Sequence, residues 1–404
     1  MFRVYHPLQN LRMKGKAHPY VEMKQPMLET AAGSEPGQPG PTHVSVGIIA
    51  WNEAEGIART LQSLFQQSLF EKLEQRGVRC EIVCLANGCT DQTPAIAAKF
   101  FEIQSRRHPL HQSFHCCALD LKEQGKANAW NHFVHRASAA EAQFLILMDA
   151  DILLNSADTL WNLVVALEEN NEASISTDRP CKSISFKQHK SLLDRLSLMA
   201  SQMTHAGEAQ LCGQLYCIRS QVARQIFLPR HLGSCDDGFI KTTVCTDFFT
   251  RQSNPRRIVI AKDSSHTFDA YTSIPGILKN QKRQMIGQTI VHVLVDQYLP
   301  TLPPAERTAL ATTLQKEENN DPYWLKRLIA NHARRTKLFW RIYPGIAGFR
   351  FKRLARLKGP RKILLLPMAV CGFGVSMFTC FQAYMTLREG GMEYWPHAKS
   401  PGFK

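Results

Sequence analysis

Short apolar runs alternate with helical patterns through the first half of the chain. The runs are rich in Val, Ile, Leu and Phe and predict buried strands at residues 44–50, 80–86, 114–119 and 144–148. Apolar residues at helical spacing predict helices between them, at 53–67, 93–101 and 126–136. This alternation predicts an α/β domain with a mostly parallel, Rossmann-like central sheet. Ligands of such sheets bind at the carboxyl ends of the strands, so the residues after each strand are the candidates for function.

The second half of the chain has a less regular pattern. Helices are expected near residues 159–169, 190–206 and 273–298. Residues 326–362 are basic and aromatic, and residues 363–387 then contain no charged side chain. A run of about 20 apolar residues is enough to cross a bilayer. Pro367 and Gly372 interrupt this one, so a membrane span and a buried or interfacial helix both stay open.

These features divide the chain into five expected parts. They are a flexible N-terminal segment rich in Gly and Pro (1–42), an α/β domain (43–300), a basic helical region (301–362), a candidate transmembrane or interfacial helix (363–387) and a tail (388–404).

Composition and charge narrow the class of protein. The 404 residues are 44% hydrophobic, which is ample for a folded core, and the net charge of +15 suggests an anionic partner such as nucleic acid, anionic lipid or a phosphorylated substrate. The 12 Cys lack the paired short spacing of a zinc site, and residues 1–20 lack the apolar core of a signal peptide. A reducing compartment is expected. The basic flank beside the apolar run favours the cytoplasmic face of a membrane.

An acidic pair follows the last predicted strand. Asp149 and Asp151 stand directly after residues 144–148, where two carboxylates repel each other unless a cation or hydrogen-bond donors compensate them. Oxygen ligands suit Mg²⁺ or Mn²⁺, which keep positions open for substrate phosphates. An acidic loop that caps the next helix is the alternative.

Three further strand ends carry polar groups. Asn52 and Glu53 follow the first strand and suit either a helix cap or a ribose or base contact. Residues 87–93 (NGCTDQT) follow the second strand and also fit a turn with a helix cap. Residues 125–131 (GKANAWN) follow the third, with a Gly that permits close backbone approach and Lys126 to attract a phosphate.

Taken together, these elements resemble the family 2 glycosyltransferases, which have the GT-A fold. Residues 87–93 are similar to the NGSTDGT element of that family, with Cys for Ser and Gln for Gly. Residues 125–131 match its GKxxAxN element, and residues 149–151 correspond to its metal-binding DxD. Four elements in the family's order are more specific than any one of them.

The resemblance implies an inverting glycosyltransferase that uses a nucleotide-diphosphate sugar and Mg²⁺ or Mn²⁺. It assigns the donor side to Glu53, Asn87, Asp91, Lys126, Asn131 and Asp149. It assigns the metal to Asp151 and Asp149, although Asp149 is also a candidate for a sugar or ribose contact. His266 is a further candidate metal ligand, with a purely structural role as the alternative.

The acceptor side matches the family more loosely. Asp236 and Asp237 resemble its ED element with Asp for Glu, which makes Asp237 the candidate general base that takes the acceptor proton. A helix N-cap is the alternative. Residues 280–284 (NQKRQ) match the QxxRW element of processive members only in part, which argues for addition of a single sugar. Arg283 is the candidate group to neutralise the leaving diphosphate.

Two other classes of protein fit the sequence less well. A nucleotidyltransferase normally has a Gly-rich, basic loop after its first strand, and residues 50–53 (AWNE) do not provide one. A non-catalytic basic protein that binds membrane or nucleic acid would explain the charge but not four ordered strand-end elements. The expected partners are therefore a nucleotide-sugar, a saccharide or lipid acceptor and a membrane surface, with no nucleic acid.

Overall fold

The computed structural model describes residues 40–191, 194–195, 198, 210–271, 273–346, 348, 351, 354–355 and 361–392. Nearly all of the expected flexible segment (1–42), most of the predicted helix at 190–206 and most of the expected tail (388–404) lie outside these residues.

Four parallel strands form the first half of the central sheet, in the order β3-β2-β1-β4. They are β1 (Thr42–Ala50), β2 (Arg79–Asn87), β3 (Phe114–Leu121) and β4 (Phe144–Asp149). In register, Ile49 of β1 lies opposite Leu85 of β2 and Asp149 of β4. The carboxyl ends of these strands therefore lie level, and the polar residues that follow them meet at one edge of the sheet.

Antiparallel pairings enter in the second half of the sheet. Among the described residues the order continues as β4-β7-β6-β8-β5, with β5 (Ile152–Leu154), β6 (Ile175–Lys182), β7 (Leu215–Arg219) and β8 (Ile258–Phe268). Strand β7 runs antiparallel to both β4 and β6, and β5 runs antiparallel to β8, whereas β6 and β8 are parallel. The α/β class is confirmed, and the mostly parallel arrangement is found in the first half only.

Helices cover both faces of the sheet. They are α1 (Ile57–Phe65), α2 (Leu69–Gln75), α3 (Thr93–Arg107), α4 (Lys126–His132), α5 (Thr159–Glu168), α6 (Ser220–Ala223), α7 (Asp236–Cys245), α8 (Ile274–His292), α9 (Pro304–Thr308), α10 (Leu310–Asn320), α11 (Trp324–Arg335) and α12 (Arg361–Arg388). Alternate strand residues serve two cores: Val46 and Ile48 pack with α1, whereas Ile49 and Leu85 pack with Trp130 of α4. This period of two is what a strand buried on both faces requires.

The last helix, α12, covers the uncharged run predicted from the sequence. It packs against α8 and α11. The segment Leu365–Arg388 is long and apolar enough to cross a membrane, and 18% of its most apolar window is buried in the protein. Most of this helix therefore presents apolar side chains to its surroundings.

Candidate active site

The loops after β1 and β2 are tied to each other by hydrogen bonds. Asn52 has a left-handed backbone (φ 55°), and its side-chain oxygen accepts from the backbone N–H of Thr90 at 2.7 Å. The backbone N–H of Glu53 donates to the Thr93 hydroxyl at 2.7 Å. Left-handed backbone is more accessible to Asn than to most residues, so this loop departs from helical geometry where helix 53–67 was predicted to start. Helix α1 begins only at Ile57.

Asp91 connects these two loops. One carboxylate oxygen accepts from the backbone N–H of Ala54 at 3.1 Å, and the other accepts from the backbone N–H of Thr93 at 2.9 Å and from its hydroxyl at 2.5 Å. Burial opposes ionisation of Asp91, but these hydrogen bonds outweigh it and lower the pKa. Asp91 is therefore an ionised group that shapes the donor side of the site.

Glu53 emerges from this loop towards the acidic pair. Burial, followed by the charges of Asp151, Asp149 and Asp91, raises the pKa of Glu53 to about 8. At neutral pH without a cation, Glu53 is thus mainly protonated and can donate a hydrogen bond.

Asn87 and Asn131 differ in what their side chains contact. Asn87 ends β2 and is 1% exposed, and its side-chain oxygen accepts no hydrogen bond from any residue that the structure describes. The Asn131 side chain makes two hydrogen bonds to the backbone of Leu228. Its Nδ2 donates to the Leu228 carbonyl at 2.7 Å, and its Oδ1 accepts from the Leu228 N–H at 3.0 Å. Asn87 thus retains an acceptor for a ligand, whereas Asn131 anchors the segment that leads towards α7.

We expect Asn131→Ala to destabilise the protein, because the change leaves two backbone groups of Leu228 without their partner. The free energy of unfolding should fall by about 2 kcal/mol, measured by urea denaturation. Asn128→Ala is the matched control, since the half-buried Asn128 side chain donates a single, exposed bond to the Glu123 carbonyl. An equal effect of the two changes would contradict the anchoring role of Asn131.

Lys126 joins the elements that the sequence predicted to be close. Its Nζ lies 2.8 Å from Oδ1 of Asp149 and 3.7 Å from Oδ2 of Asp236, and it donates to the Gly213 carbonyl at 3.0 Å. Burial alone would lower the pKa of Lys126, but Asp149 and Asp236 raise it above its ordinary value. Lys126 is therefore a permanent cation between the strand end of β4 and the start of α7.

Of the acidic pair at the start of α7, Asp236 is buried and Asp237 is half-buried. Asp236 is 4% exposed, and both aspartates lie in the first turn of the helix, whose N-cap residue is Cys235 without a side-chain cap bond. Burial and the neighbouring charge of Asp236 raise the pKa of Asp237 to about 6. A Cβ at Gly213 would approach the Asp237 Cβ to 3.1 Å, so the glycine makes room for this carboxylate. Asp237 is thus a carboxylate suited to accept a proton near neutral pH.

Arg283 lies beside this pair, on α8. Its backbone carbonyl accepts from the Ser234 hydroxyl at 3.3 Å, and its Nη2 donates to the Asn280 side chain at 3.1 Å. The buried Nε has no partner in the described part of the chain. Helix α8 comes so close that a Cβ at Gly287 would lie 2.5 Å from the Cys235 sulfur. The structure therefore brings Arg283 to the loop at Ser234 that leads into the first turn of α7.

His266 sits in β8 within a second polar cluster. Its Nδ1 lies 2.6 Å from Oδ2 of Asp178, and its Nε2 lies 3.4 Å from the side-chain oxygen of Gln214. Asp178, Cys212 and His266 place three possible ligand atoms within 4.8 Å of one another. Burial alone would lower the pKa of His266, but Asp178 and Cys212 outweigh it and raise the pKa to about 10.

Sequence reasoning did not identify Asp178 or a role for the Gln214 side chain. Asp178 lies within β6, whose neighbours β7 and β8 are distant in the chain, and no motif marks it. Asp178 is buried beside Ser176 and Thr177 in β6 (Ile175–Lys182), which lacks the apolar run that marks a buried strand in the sequence.

The residues of the DxD element fit a divalent cation. Oδ1 of Asp151 is buried and has no hydrogen-bond partner among the residues described. Burial raises the pKa of Asp149 to about 7 even though Lys126 opposes this, and burial also raises the pKa of Asp151, which the charges of Lys126 and His266 lower only in part. The pocket thus holds more carboxylates than its own cations neutralise, which is the condition that a bound Mg²⁺ or Mn²⁺ relieves.

The mixed sheet and the polar residues at its strand ends are the arrangement expected of a glycosyltransferase. Residues 45–223 match the model of glycosyl transferase family 2, and this region of the chain belongs to that family. The family predicted from the four strand-end elements is confirmed. Asp237, His266 and Arg283 lie beyond the matched region.

The chain is also similar to solved structures. A mannosyltransferase from Pyrobaculum calidifontis, in complex with GDP-Man and Mn²⁺, has 20% identity and a TM-score of 0.47, with 87% of this chain and 88% of that chain covered. Residues 1–349 of TarS from S. aureus have 15% identity and a TM-score of 0.42, with 86% of this chain and 90% of that chain covered. Glucosyl-3-phosphoglycerate synthase from Mycobacterium tuberculosis, in complex with Mg²⁺ and UDP, has 12% identity and a TM-score of 0.39, with 63% of this chain and 79% of that chain covered. No curated protein matches the chain.

Proposed function

We propose that this glycosyltransferase moves one sugar from a nucleotide-diphosphate sugar to a hydroxyl acceptor, with inversion at the anomeric carbon and with Mg²⁺ or Mn²⁺. The observation that carries the proposal is the position of Lys126, which pairs with Asp149 on the donor side and with Asp236 on the acceptor side. One buried cation thus links the two groups of carboxylates that such a transfer needs.

Asp237 is the proposed general base. In a direct displacement the acceptor hydroxyl must lose its proton as its oxygen attacks the anomeric carbon, and a carboxylate with a pKa near 6 accepts that proton at neutral pH. Lys126 keeps Asp236 paired, and Asp236 in turn raises the pKa of Asp237. Asp236 is therefore a positioning and tuning residue for the base.

The donor diphosphate is proposed to lie against Asp151, Asp149 and His266. A bound divalent cation there would supply the positive charge that stabilises the departing nucleotide diphosphate. Asp151 offers the unpartnered Oδ1. We assign Arg283 to the same task from the acceptor side, because a guanidinium favours phosphate oxygens. Glu53 and the unpartnered oxygen of Asn87 are proposed to contact the nucleoside.

The acceptor is proposed to be a saccharide, a lipid-linked saccharide or a lipid, at the cytoplasmic face of a membrane. The basic and aromatic segment 326–362 beside the apolar helix α12 supports this location. Addition of a single sugar is supported by Asn280 and Gln284, which replace the Gln and Trp of the element found in processive members.

Donor binding tests the proposal directly. We expect one class among UDP-, GDP- and dTDP-sugars to raise the melting temperature of the protein in the presence of Mn²⁺. A ligand at 100 times its Kd adds about 2.7 kcal/mol of stability. The same donor should release nucleoside diphosphate when an acceptor is supplied. Release of pyrophosphate would indicate a nucleotidyltransferase, and no stabilisation by any sugar nucleotide would contradict the proposed function.

A further inference from the structure

One face of helix α12 packs against the rest of the domain. The buried positions recur every three or four residues and comprise Ser376, Thr379, Cys380, Ala383, Tyr384 and Leu387. The Tyr384 hydroxyl donates to the Thr336 carbonyl at 3.0 Å, and the Cys380 sulfur lies 3.5 Å from the Phe339 carbonyl oxygen. Cys380, Ala383, Tyr384 and Leu387 belong to the core cluster that contains Trp324 and Leu325 of α11. The C-terminal half of α12 is therefore part of the folded domain.

The opposite face of α12 carries large apolar side chains that are exposed. They are Leu366, Val370, Phe378, Phe381 and Met385, each between 37% and 52% exposed. Phe381 contacts the ring of Phe339 at 5.5 Å, next to Trp340, which is 40% exposed. Contiguous apolar surface of this kind on a folded domain marks a binding face.

The packing of α12 decides how a bilayer could meet it. A helix that crosses the hydrocarbon needs about 30 Å of length. Because one face of the helix packs against the domain from Ser376 to Leu387, only residues 361–375 of the helix lie before the packed part. At 1.5 Å per residue they span about 22 Å. The helix is therefore too short to cross without dismantling the core, but it suits a position parallel to the surface.

A basic cavity lies at the C-terminal end of α12. It has a volume of about 350 Å³ and is lined by Lys326, Arg327 and Arg334, together with Tyr323 and Gly390. The lining residues in the described part of the chain include no carboxylate, although Asp321 pairs with Arg327 from outside the cavity. Three cations around one cavity match the phosphate of an anionic lipid headgroup.

We propose that the exposed face of α12 and this basic cavity form one docking surface for an anionic phospholipid bilayer, with α12 lying in the plane of the interface. Apolar side chains would enter the boundary between headgroups and acyl chains while the cations hold phosphates. This inference rests on the membrane location proposed above and is independent of the sugar-transfer chemistry.

Vesicle binding tests the surface. Full-length protein should sediment with phosphatidylcholine vesicles that contain phosphatidylglycerol, and more weakly with phosphatidylcholine alone. The double change Val370→Asp with Phe378→Asp should weaken this binding at least about tenfold, because two apolar anchors become charges that the interface excludes. Phe186→Asp is the matched control, since Phe186 is 67% exposed and lies outside the proposed surface.

The basic cavity has its own test arm. Lys326→Gln with Arg334→Gln should remove the preference for phosphatidylglycerol and leave binding to phosphatidylcholine unchanged. Added inorganic phosphate should not compete if the ligand is a lipid headgroup. The cavity's part in docking would be overturned if inorganic phosphate competed and if this variant and the wild type bound both kinds of vesicle equally. That result would show a site for free phosphate.

Three results would overturn the proposal. The first is that the wild type and the Val370→Asp, Phe378→Asp variant sediment equally with the vesicles. A dimer that this variant dissociates, without vesicle binding, would assign the face to a second copy. Bound protein that fails to transfer to fresh vesicles would indicate a spanning helix. An unchanged melting curve would verify that the variant is folded. Failure of the vesicle-binding test would not affect the outcome of the donor-binding test.

Discussion

Asp151→Asn abolishes transfer in our expectation, with kcat/KM reduced by at least about a thousandfold. Oδ1 of Asp151 is a buried carboxylate oxygen without a hydrogen-bond partner among the described residues, and the change removes half of the charge of the DxD pair. An amide binds a divalent cation far more weakly than a carboxylate does. Release of nucleoside diphosphate measures the activity, and calorimetric titration with Mn²⁺ measures the affinity, which should fall at least about a hundredfold.

The matched control for this change is Asp263→Asn. Asp263 is exposed and has a left-handed backbone (φ 54°) that Asn tolerates, so the same loss of charge occurs on an exposed side chain that is not assigned to the metal or the donor. Its activity and Mn²⁺ affinity should equal those of the wild type. An Asp151→Asn enzyme that keeps wild-type Mn²⁺ affinity would remove Asp151 from the metal site, whatever its activity.

Asp237→Asn should lower kcat by about a thousandfold while the KM for the donor changes little, because the amide cannot accept the acceptor proton. In the wild type the base must be ionised, so kcat/KM should fall as the pH drops below about 6. Below that pH each unit should lower the rate tenfold, as protonation of a single group requires. Initial rates from pH 4.5 to 8.5 measure this acid limb.

Asp236→Asn provides a readout that a merely structural role would not change. The charge of Asp236 raises the pKa of Asp237, so its removal should move the acid limb to lower pH. The acid limb should shift in this way even if loss of the contact between Asp236 and Lys126 lowers the maximal rate. An acid limb that stays in place in Asp236→Asn, or persists in Asp237→Asn, would assign the titration to another group.

The parallel half of the site was predictable because its geometry follows from local patterns. Apolar runs located β1 to β4, and parallel pairing makes their carboxyl ends coincide, which brings Lys126, after β3, to Asp149 at the end of β4. The second half was less predictable, since β7 pairs antiparallel with both β4 and β6 and no local signal encodes that order. Asp178 could not be placed against His266 for this reason.

Side-chain roles were harder to predict than positions. The sequence located Asn131 correctly in the element after β3, but its two bonds to Leu228 depend on a segment almost a hundred residues away. The start of the helix predicted at 53–67 was wrong, because the loop at Asn52 replaces its first turn and α1 begins at Ile57. The predicted helix at 126–136 is α-helical to His132 and continues with π-helical geometry from Phe133 to Ala137. Such departures from the α pattern follow from tertiary contacts.

The crowding of carboxylates around Glu53 has a consequence for how much folded enzyme exists. Burial and neighbouring charge raise the pKa of Glu53 from 4.5 to about 8, so the folded state holds a proton that the unfolded chain has lost. The stability from this group is complete below pH 4.5 and is lost as the pH rises to about 8. Ligands that bind only the folded state reverse the loss. The protein without its donor should therefore lose more stability between pH 4.5 and about 8 than the protein that has bound it.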